Sequence, residues 1–243
     1  MNKACIYKIL FTWTLGTCFG QTVAHAQTTF VDRFDDPAYT AANWTIESGS
    51  WRVKGGTYDQ DGPRSDENFS TVFTRTFTNF TLDCDLTYLG IAGLVVREDP
   101  KAMTGLTLVA SSATGQLYFT VRKGTGFSDI LSTAPLNAAF GSNLHLTLTA
   151  QGNNFTAVAT SLDTPGTVLG SVSLNGSPRV QDLMTGRVGV YETNNRPPAY
   201  SFTGFDNFAV SVPEPTTWTL GLVGTAGLLW LGGRRRTVAT PLA

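Results

Sequence analysis

Residues 144–150 read Leu144-His145-Leu146-Thr147-Leu148-Thr149-Ala150, with an apolar side chain at every second position and a polar one between. Successive side chains of a β-strand point to opposite faces of a sheet, so this segment predicts a strand with one buried and one wet face. Residues 92–96 read Ala92-Gly93-Leu94-Val95-Val96 and are apolar on both faces. This second pattern predicts a central strand.

Similar short segments follow one another along most of the chain. Further strands are predicted at residues 50–53, 71–77, 81–88, 105–110, 116–122, 155–161, 168–174, 187–191 and 205–210. Turn-forming Gly, Asn, Ser and Pro residues separate them, and no segment between the two chain ends shows a helical period. The sequence therefore predicts an all-β fold, and two antiparallel sheets packed face to face explain both hydrophobic patterns.

The N-terminal residues have the pattern of a secretory signal peptide. Lys3 and Lys8 form a basic region, residues 9–20 are mostly apolar, and Ala24-His25-Ala26 has the small-x-small form that signal peptidase cleaves. We expect a signal helix in residues 1–26, cleavage after Ala26 and export of the remaining chain. The folded part is then a single domain spanning residues 27–211, a usual domain size.

The C-terminal residues combine a rigid motif, an apolar segment and a basic cluster. The relevant residues are Pro213, Glu214 and Pro215, then the apolar run 218–231, then Arg234, Arg235 and Arg236. The run is short for a bilayer span of about 20 residues, and the prolines keep a helix from starting before residue 216. The arginines would stop the segment on the cytoplasmic side.

This order of elements resembles the PEP-CTERM sorting signal, here residues 212–236 followed by a tail at 237–243. The resemblance implies a transmembrane helix that anchors the chain only until an exosortase processes it, and delivery to the cell surface or extracellular matrix of a Gram-negative bacterium. An ordinary C-terminal single-span anchor is the alternative. Either interpretation places the domain outside the cytoplasm.

The charge and cysteine content of the mature domain narrow the function classes. Residues 27–212 carry 12 Lys and Arg against 17 Asp and Glu, a net charge of −5. This acidic balance argues against nucleic acid as a partner, because nucleic-acid binding needs cations that neutralise phosphates. Cys84 is the one cysteine of the domain, so no internal disulfide can form, and its alternation with Leu82 and Leu86 predicts a buried packing residue.

A second resemblance spans nearly the whole mature domain. It rests on Phe34-Asp35-Asp36, Trp44, Gly49-Ser50-Trp51-Arg52-Val53, Gly55-Gly56-Thr57-Tyr58, residues 92–97, Gly186-Arg187-Val188-Gly189-Val190-Tyr191 and Phe205-Asp206-Asn207-Phe208. In this order they are similar to the laminin G-like, concanavalin A-like lectin/glucanase jelly roll. The resemblance implies a two-sheet jelly roll of about a dozen strands, in a superfamily of lectins, carbohydrate-binding modules, glycosidases and structural domains.

Catalytic motifs of that superfamily are absent from the sequence. Its glucanases carry Glu-x-Asp-x-x-Glu on one strand, and the nearest equivalent here is Asp83 and Asp85 without a third carboxylate at the required spacing. His145 is the single histidine of the mature domain and no serine elbow accompanies it, so we predict no catalytic residue. A glycoside hydrolase or lyase with unrecognised carboxylates remains an alternative, as does a structural matrix protein without a specific ligand.

Sugar recognition needs rings that stack on pyranoses and planar groups that read hydroxyls. Arg97, Tyr118, Arg122 and Tyr191 are the predicted carbohydrate-binding residues, since each lies opposite the apolar face of its strand or at a strand end; the alternative is that they simply cover an exposed sheet. Asp35 and Asp206 could hold a structural Ca²⁺ between the first and last strands; the favoured alternative is that Asp35 caps a turn and Asp206 accepts backbone hydrogen bonds. No other cofactor is predicted. The sequence thus predicts an exported, surface-sorted, non-catalytic module that binds or is embedded in extracellular polysaccharide.

Overall fold

The structure is a computed structural model that describes residues 26–61, 67–124, 126–193 and 203–213, with side chains from residue 29 onward. It contains fifteen strands within these ranges. They are β1 Ala26–Asp32, β2 Trp44–Ser48, β3 Trp51–Lys54, β4 Thr57–Gln60, β5 Asn68–Val72, β6 Phe80–Thr87, β7 Ile91–Asp99, β8 Thr104–Ser111, β9 Gln116–Lys123, β10 Gly126–Pro135, β11 Leu144–Gln151, β12 Asn154–Ser161, β13 Val168–Asn175, β14 Arg187–Glu192 and β15 Gly204–Pro213. One helix, α1, covers Pro37–Asn43, and a 3-10 turn covers Pro178–Val180.

The strands form two antiparallel sheets. The first sheet has the order β13-β12-β11-β6-β15-β4-β3, with β1 also paired to β15. The second sheet has the order β10-β9-β8-β7-β14-β5-β2. The predicted all-β sandwich is therefore confirmed.

Alternating side chains build the core between the sheets. Leu144, Leu146 and Leu148 of β11 are fully buried and lie opposite Leu86, Cys84 and Leu82 of β6. Cys84 packs there as predicted, and burial raises the pKa of its thiol. The strand that is apolar on both faces, β7, is the fourth of seven in the second sheet, which makes it central as predicted.

Four strands and the helix were not predicted. Strands β1, β2, β4 and β10 are short, polar or irregular, so none shows a clean period of two. Helix α1 is too short to show a helical period; it begins where the Asp36 carboxylate accepts hydrogen bonds from the amides of Ala38 and Tyr39. The strand predicted at residues 71–77 is in fact β5, displaced toward the N-terminus.

The second sheet is strongly curved. Phe69, Val95, Val109 and Tyr191 form a separate apolar cluster on its outer face, away from the main core. Phe127 of β10 joins them, with its ring centroid 5.1 Å from that of Tyr191 on β14. Four strand spacings of about 4.8 Å would hold these side chains roughly 19 Å apart in a flat sheet. The outer face, called the concave face below, therefore curls inward.

Glycines allow this curvature. A Cβ atom at Gly93 would lie 1.8 Å from the carbonyl oxygen of Leu108 on β8, and one at Gly189 would lie 2.1 Å from that of Ser70 on β5. Neighbouring backbones approach each other closely at these two positions, and only residues without a side chain fit there.

The predicted processing segments lie mostly outside the described residues. Ala24 of the signal-peptidase motif and Glu214, Pro215, Arg234, Arg235 and Arg236 of the sorting signal all belong to undescribed segments. Ala26 and Pro213 are the outermost described residues, and they pair with each other between β1 and β15. Among the described ranges, no helix has the length and apolar character to cross a bilayer.

Replacement of Gly93 tests the close approach of β7 and β8. We expect Gly93→Ala to destabilise the domain by about 1–3 kcal/mol, because the added methyl group collides with backbone that cannot move independently. Gly126→Ala is the matched control, since a Cβ atom there meets nothing within 4 Å. Urea unfolding measures both changes. Equal stability of the two variants would contradict the proposed origin of the curvature.

Candidate functional site

Three of the four predicted carbohydrate-binding residues lie on the concave face. Tyr118 and Arg122 share the outer side of β9, opposite Leu117 and Phe119, as predicted. Tyr191 lies on the same side of β14, in the concave apolar cluster. Tyr118 is half-buried, whereas Arg122 and Tyr191 are almost fully buried. The structure therefore brings these three together but exposes them less than a fully open sheet would.

Arg97 lies elsewhere. A bulge between Val96 and Asp99 turns its side chain toward the interior, where the guanidinium donates to the carbonyls of Thr78 and Leu183 at 2.7 Å each. The guanidinium also stacks over the ring of Phe155, 4.7 Å from the ring centroid. The expectation that Arg97 lies on an exposed sheet face is wrong, because the local alternation is interrupted at this residue.

An ion triad closes one end of the concave face. Arg122 Nη1 contacts Glu47 Oε2 at 2.5 Å and Glu98 Oε1 at 2.6 Å, and the three side chains are 1%, 6% and 0% exposed. Arg122 also lies over the ring of Phe69, 3.9 Å from its centroid. Glu47 belongs to β2, five strands from β9, a separation of roughly 24 Å in a flat sheet. The triad thus links the two margins of the curled sheet.

Burial controls the protonation of the triad. It raises the pKa of Glu98 to about 8, against the opposing attraction of Arg122. The second carboxyl oxygen of Glu98 is buried without a hydrogen-bond partner, and a Cβ atom at Gly105 would lie 2.1 Å from it. Burial therefore favours the protonated form of Glu98, whereas the neighbouring Arg122 favours its ionised form.

Beside the triad lies an aromatic cluster, defined here as Phe69, Tyr118, Phe127, Tyr191 and the adjoining Glu67. The Tyr191 hydroxyl donates to the Glu67 carboxylate, and the Phe127 ring contacts Tyr191 edge-on. Burial raises the pKa of both tyrosines, and the nearby Glu67 raises each further, so both phenols keep their protons. Tyr118, Phe127 and Glu67 are partly exposed. The cluster offers ring surface together with phenol and carboxylate groups that can bind hydroxyls.

Sequence reasoning missed Glu47, Glu67, Phe69, Glu98 and Phe127 as members of this site. A weak signal existed, because the folded part contains only four glutamates and three of them meet on this face. Phe69 and Glu67 lie before the strand that was predicted at 71–77. Phe127 lies in β10, whose irregular pairing hides its alternation.

The triad carboxylates are unsuited to attack a glycosidic bond as they stand. Glu47 and Glu98 contact the same Arg122 nitrogen, so their nearest oxygens are separated by no more than the carboxyl spacing of about 5 Å found in retaining glycosidases. The guanidinium occupies the space between them, however, and all three groups are buried. The arrangement is that of an internal ion pair.

Asp83 and Asp85 lie on the outer face of the first sheet, where they bind His145. The histidine Nδ1 lies 2.6 Å from Asp85 Oδ1 and its Nε2 lies 3.3 Å from Asp83 Oδ1. The hydrogen bonds that the imidazole donates to the Asp83 and Asp85 carboxylates raise the pKa of His145 to about 9. Burial raises the pKa of both aspartates. The hydrogen bonds and charge of His145, together with hydrogen bonds from Thr147 to Asp83 and from Asn207 to Asp85, outweigh burial and leave each pKa lowered. With both ring nitrogens engaged, the imidazolium acts as a cross-strand tie.

The two predicted calcium ligands, Asp35 and Asp206, are close enough to interact electrostatically. Burial raises the pKa of Asp206, and Asp85 and Asp35 raise it further. The Asp206 carboxylate accepts a hydrogen bond from the backbone amide of Asn207 at 2.6 Å, a role that the capping interpretation also explains. The described part of the chain contains no group of three His, Cys, Asp or Glu side chains arranged to hold a metal ion. Calcium binding stays a prediction.

A pocket of about 410 Å³ lies at the margin of the sandwich formed by the edge strands β2 and β3 and by α1. Its walls include Trp44, Trp51 and Tyr58, with Ile46 and Arg52 nearer the solvent. We refer to it as the edge pocket. Trp44 and Trp51 also belong to the core.

Comparison with known proteins supports the fold. No protein-family model and no curated protein matches the chain. Among solved structures, a carbohydrate-binding module, CBM66, from Bacillus subtilis is 16% identical over 70% of this chain and 96% of that chain, with a TM-score of 0.54. A Bacillus subtilis protein with a galectin-like fold is 11% identical over 78% and 98%, with a TM-score of 0.58.

Plant lectins and enzyme modules share the same architecture. The winged bean acidic lectin, solved with methyl-α-D-galactose, is 8% identical over 78% of this chain and 99% of that chain, with a TM-score of 0.54. A xylan β-1,4-xylosidase from Bacillus halodurans matches over only 39% of its own length. These similarities show that the domain shares the two-sheet jelly-roll fold of these structures.

Removal of the buried carboxyl of Glu98 tests the triad. Its pKa is about 8 in the fold against 4.5 for the free group, so the folded state binds a proton that the unfolded state releases between these values. Stability is therefore highest at the acidic end of this window and falls as pH rises through it, by up to about 1.4 kcal/mol per pH unit for this group. Glu192, with a pKa of about 8, and His145, with a pKa of about 9, act in the same direction.

We expect Glu98→Gln to flatten the decline in stability between about pH 5 and pH 8, since the amide does not titrate. Thermal unfolding across this range measures the slope. Asp182→Asn is the control, because Asp182 is exposed and the slope should remain that of the wild type. A wild-type stability that increases toward pH 8 would be incompatible with the raised pKa of Glu98.

Proposed function

We propose that this domain is a non-catalytic carbohydrate-binding module that binds a polysaccharide through the aromatic cluster of its concave face. The observation that carries the proposal is the meeting of Tyr118, Phe127 and Tyr191 with the Glu67 carboxylate on one inward-curving surface. Exposed ring surface packs against the C–H faces of sugars, and the carboxylate and phenols bind hydroxyl groups.

The buried part of the site supports binding by keeping its shape fixed. The Arg122 triad and the ring of Phe69 lie directly beneath the exposed groups, and they allow little movement of the surface above them. A rigid surface loses less conformational entropy when it binds, so weak polar contacts contribute more to affinity. Arg122 thus serves the site as a support, and Tyr118 is the predicted residue best placed to touch a sugar.

The similar structures support the same class of ligand. CBM66 is named as a carbohydrate-binding module, and the winged bean lectin is named with a bound galactoside. The rival function, glycoside hydrolysis or cleavage by a lyase, is disfavoured by the guanidinium between Glu47 and Glu98 and by the engagement of Asp83 and Asp85 with His145. A structural matrix role without a ligand leaves the partly exposed aromatic surface unexplained.

We further propose export by signal peptidase and sorting by an exosortase, so that the mature domain acts at the cell surface or in extracellular polysaccharide. The support comes from the Ala24-His25-Ala26 motif and from Pro213-Glu214-Pro215 with its apolar segment and arginines. Ala26 and Pro213 pair at the ends of β1 and β15, so cleavage after Ala26 would remove only the outermost residue of β1, and a cut beyond Pro213 would leave β15 whole. A structural Ca²⁺ at Asp35 and Asp206 is part of the same proposal and awaits a metal-binding measurement.

Removal of the Tyr118 ring tests the binding site. We expect Tyr118→Ala to weaken retention of residues 26–213 on the preferred polysaccharide by about fivefold or more, a loss of about 1 kcal/mol. Affinity electrophoresis against a panel of glycans measures retention, and a reducing-end assay on the same panel should detect no release. Tyr39→Ala is the matched control, because Tyr39 is an exposed tyrosine on α1. Retention that is insensitive to Tyr118→Ala would exclude the aromatic cluster, and release of reducing ends would favour the hydrolase.

The sorting proposal has a separate test. Glu214→Ala in the full-length chain should abolish C-terminal processing and leave the protein attached to the inner membrane, because the motif between the two prolines is lost. Fractionation and intact-mass analysis of the expressing cells measure this. Processing that continues unchanged would favour the ordinary C-terminal anchor.

A further inference from the structure

The edge pocket is lined by rings whose polar groups are already engaged within the protein. Trp44 Nε1 donates to Asp32 Oδ2 at 2.9 Å, and Trp51 Nε1 donates to the carbonyl of Ser48 at 2.9 Å. The Tyr58 hydroxyl is hydrogen-bonded to Ser70 at 2.8 Å. These three residues therefore present only apolar surface to the pocket, and a ligand cannot satisfy its own polar groups on them.

The fold leaves this apolar surface incompletely covered. Ile46 lies on the same side of β2 as the buried Trp44, yet its side chain is 48% exposed. Helix α1 contributes Pro37, Thr40 and Ala41 to the lining of the pocket. A side chain that faces the core side and remains half exposed marks a place that another apolar group can fill.

The size and charge of the pocket indicate what that group is. Its volume of about 410 Å³ falls within the range of about 300–1,000 Å³ typical of small-molecule sites. Arg52 lies at the mouth and is more than half exposed; its ion pair with Asp61 uses Nε at 2.7 Å. Within the described ranges, no ion pair engages the two terminal guanidinium nitrogens, and these can contact an anion at the edge of the apolar cavity.

We propose that the edge pocket is a second ligand site, independent of the concave face, which binds a small amphipathic anion with its apolar body against Trp44, Trp51 and Ile46 and its negative group at Arg52. An aromatic acid and a short acyl chain share this chemistry. The site lies at the edge strands of the two sheets, so its occupation would fill the margin of the sandwich and stabilise the fold by linkage.

Two fluorescent probes separate the apolar and charged parts of the proposal. Anilinonaphthalene sulfonate is an apolar anion, and phenylnaphthylamine has the same rings without the charge. Both should bind the full-length wild-type chain with a saturable component. Octanoate and indole acetate are then added as competitors; displacement by the first identifies an acyl chain and displacement by the second an aromatic acid, and either result supports the site.

The decisive variant is one whose new side chain fills the pocket. Ala41 lines the pocket and Ala42, its exposed neighbour on α1, does not. Ala41→Trp should weaken the saturable binding of both dyes at least tenfold, whereas Ala42→Trp should change it less than twofold. Dye bound elsewhere on the chain contributes equally to both variants. Equal binding by the two variants overturns the site.

The charge at the mouth is tested separately. Arg52→Gln should weaken binding of the sulfonate dye about three- to fivefold, as expected for a solvent-exposed ion pair, and leave the neutral dye unchanged. Ile46→Glu places a carboxylate at the mouth and should weaken binding of the sulfonate dye more than binding of the neutral dye. This variant checks the result independently of Ala41→Trp. Equal effects on the two dyes in both variants overturn the assignment of an anionic ligand.

Discussion

The curvature of the second sheet is the constraint on which the rest of the domain depends. A flat sheet would hold β2 and β9 roughly 24 Å apart, whereas Glu47 and Arg122 on these strands are in contact. Gly93 and Gly189 permit the bend because no side chain separates the adjoining backbones. The curl converts what would be an exposed sheet surface into a second, smaller core with its own aromatic cluster.

That second core contains charge, which most cores avoid. Burying two carboxylates with one guanidinium is costly unless the charges balance and their hydrogen bonds are satisfied. Burial raises the pKa of Glu98 and so favours a neutral carboxyl there, and stacking of Arg122 over Phe69 adds a cation–π contact. The ion triad fixes the curvature of the sheet more than it adds net stability. A sheet with a different curvature would leave Arg122 buried without its partners.

The sequence predicted the structure correctly wherever the pattern of a single strand determines which face a residue lies on. A period of two within a single strand was enough to predict four features correctly. These are the alternation of residues 144–150, the central position of β7, the burial of Cys84 and the shared face of Tyr118 and Arg122. The prediction that Arg97 lies on an exposed sheet face was wrong because a bulge interrupts the alternation at that residue. The sequence alone gave no sign of this bulge.

The composition of the concave site was not predictable by the same reasoning. Its carboxylates come from three different segments. Glu47 of β2 and Glu98 of β7 contact Arg122, and Glu67 before β5 accepts a hydrogen bond from Tyr191. Pairing of Asp83 and Asp85 with His145 likewise depends on the register between β6 and β11, which sets residues sixty positions apart side by side. Periodicity predicts the face on which a side chain lies; contacts across a sheet follow from register and curvature.

Pairing of β1 with β15 connects the fold to the proposed route of export. The strands run antiparallel from Ala26↔Pro213 to Asp32↔Phe208, so the two ends of the domain lie side by side on adjacent strands. The last strand also pairs with β6 and β4 and forms part of the first sheet's interior. A cut beyond Pro213 leaves every residue of β15 in place, so the sandwich stays intact. A cut only a few residues earlier would remove pairing from β1 and β6 together, because β15 is paired on both sides.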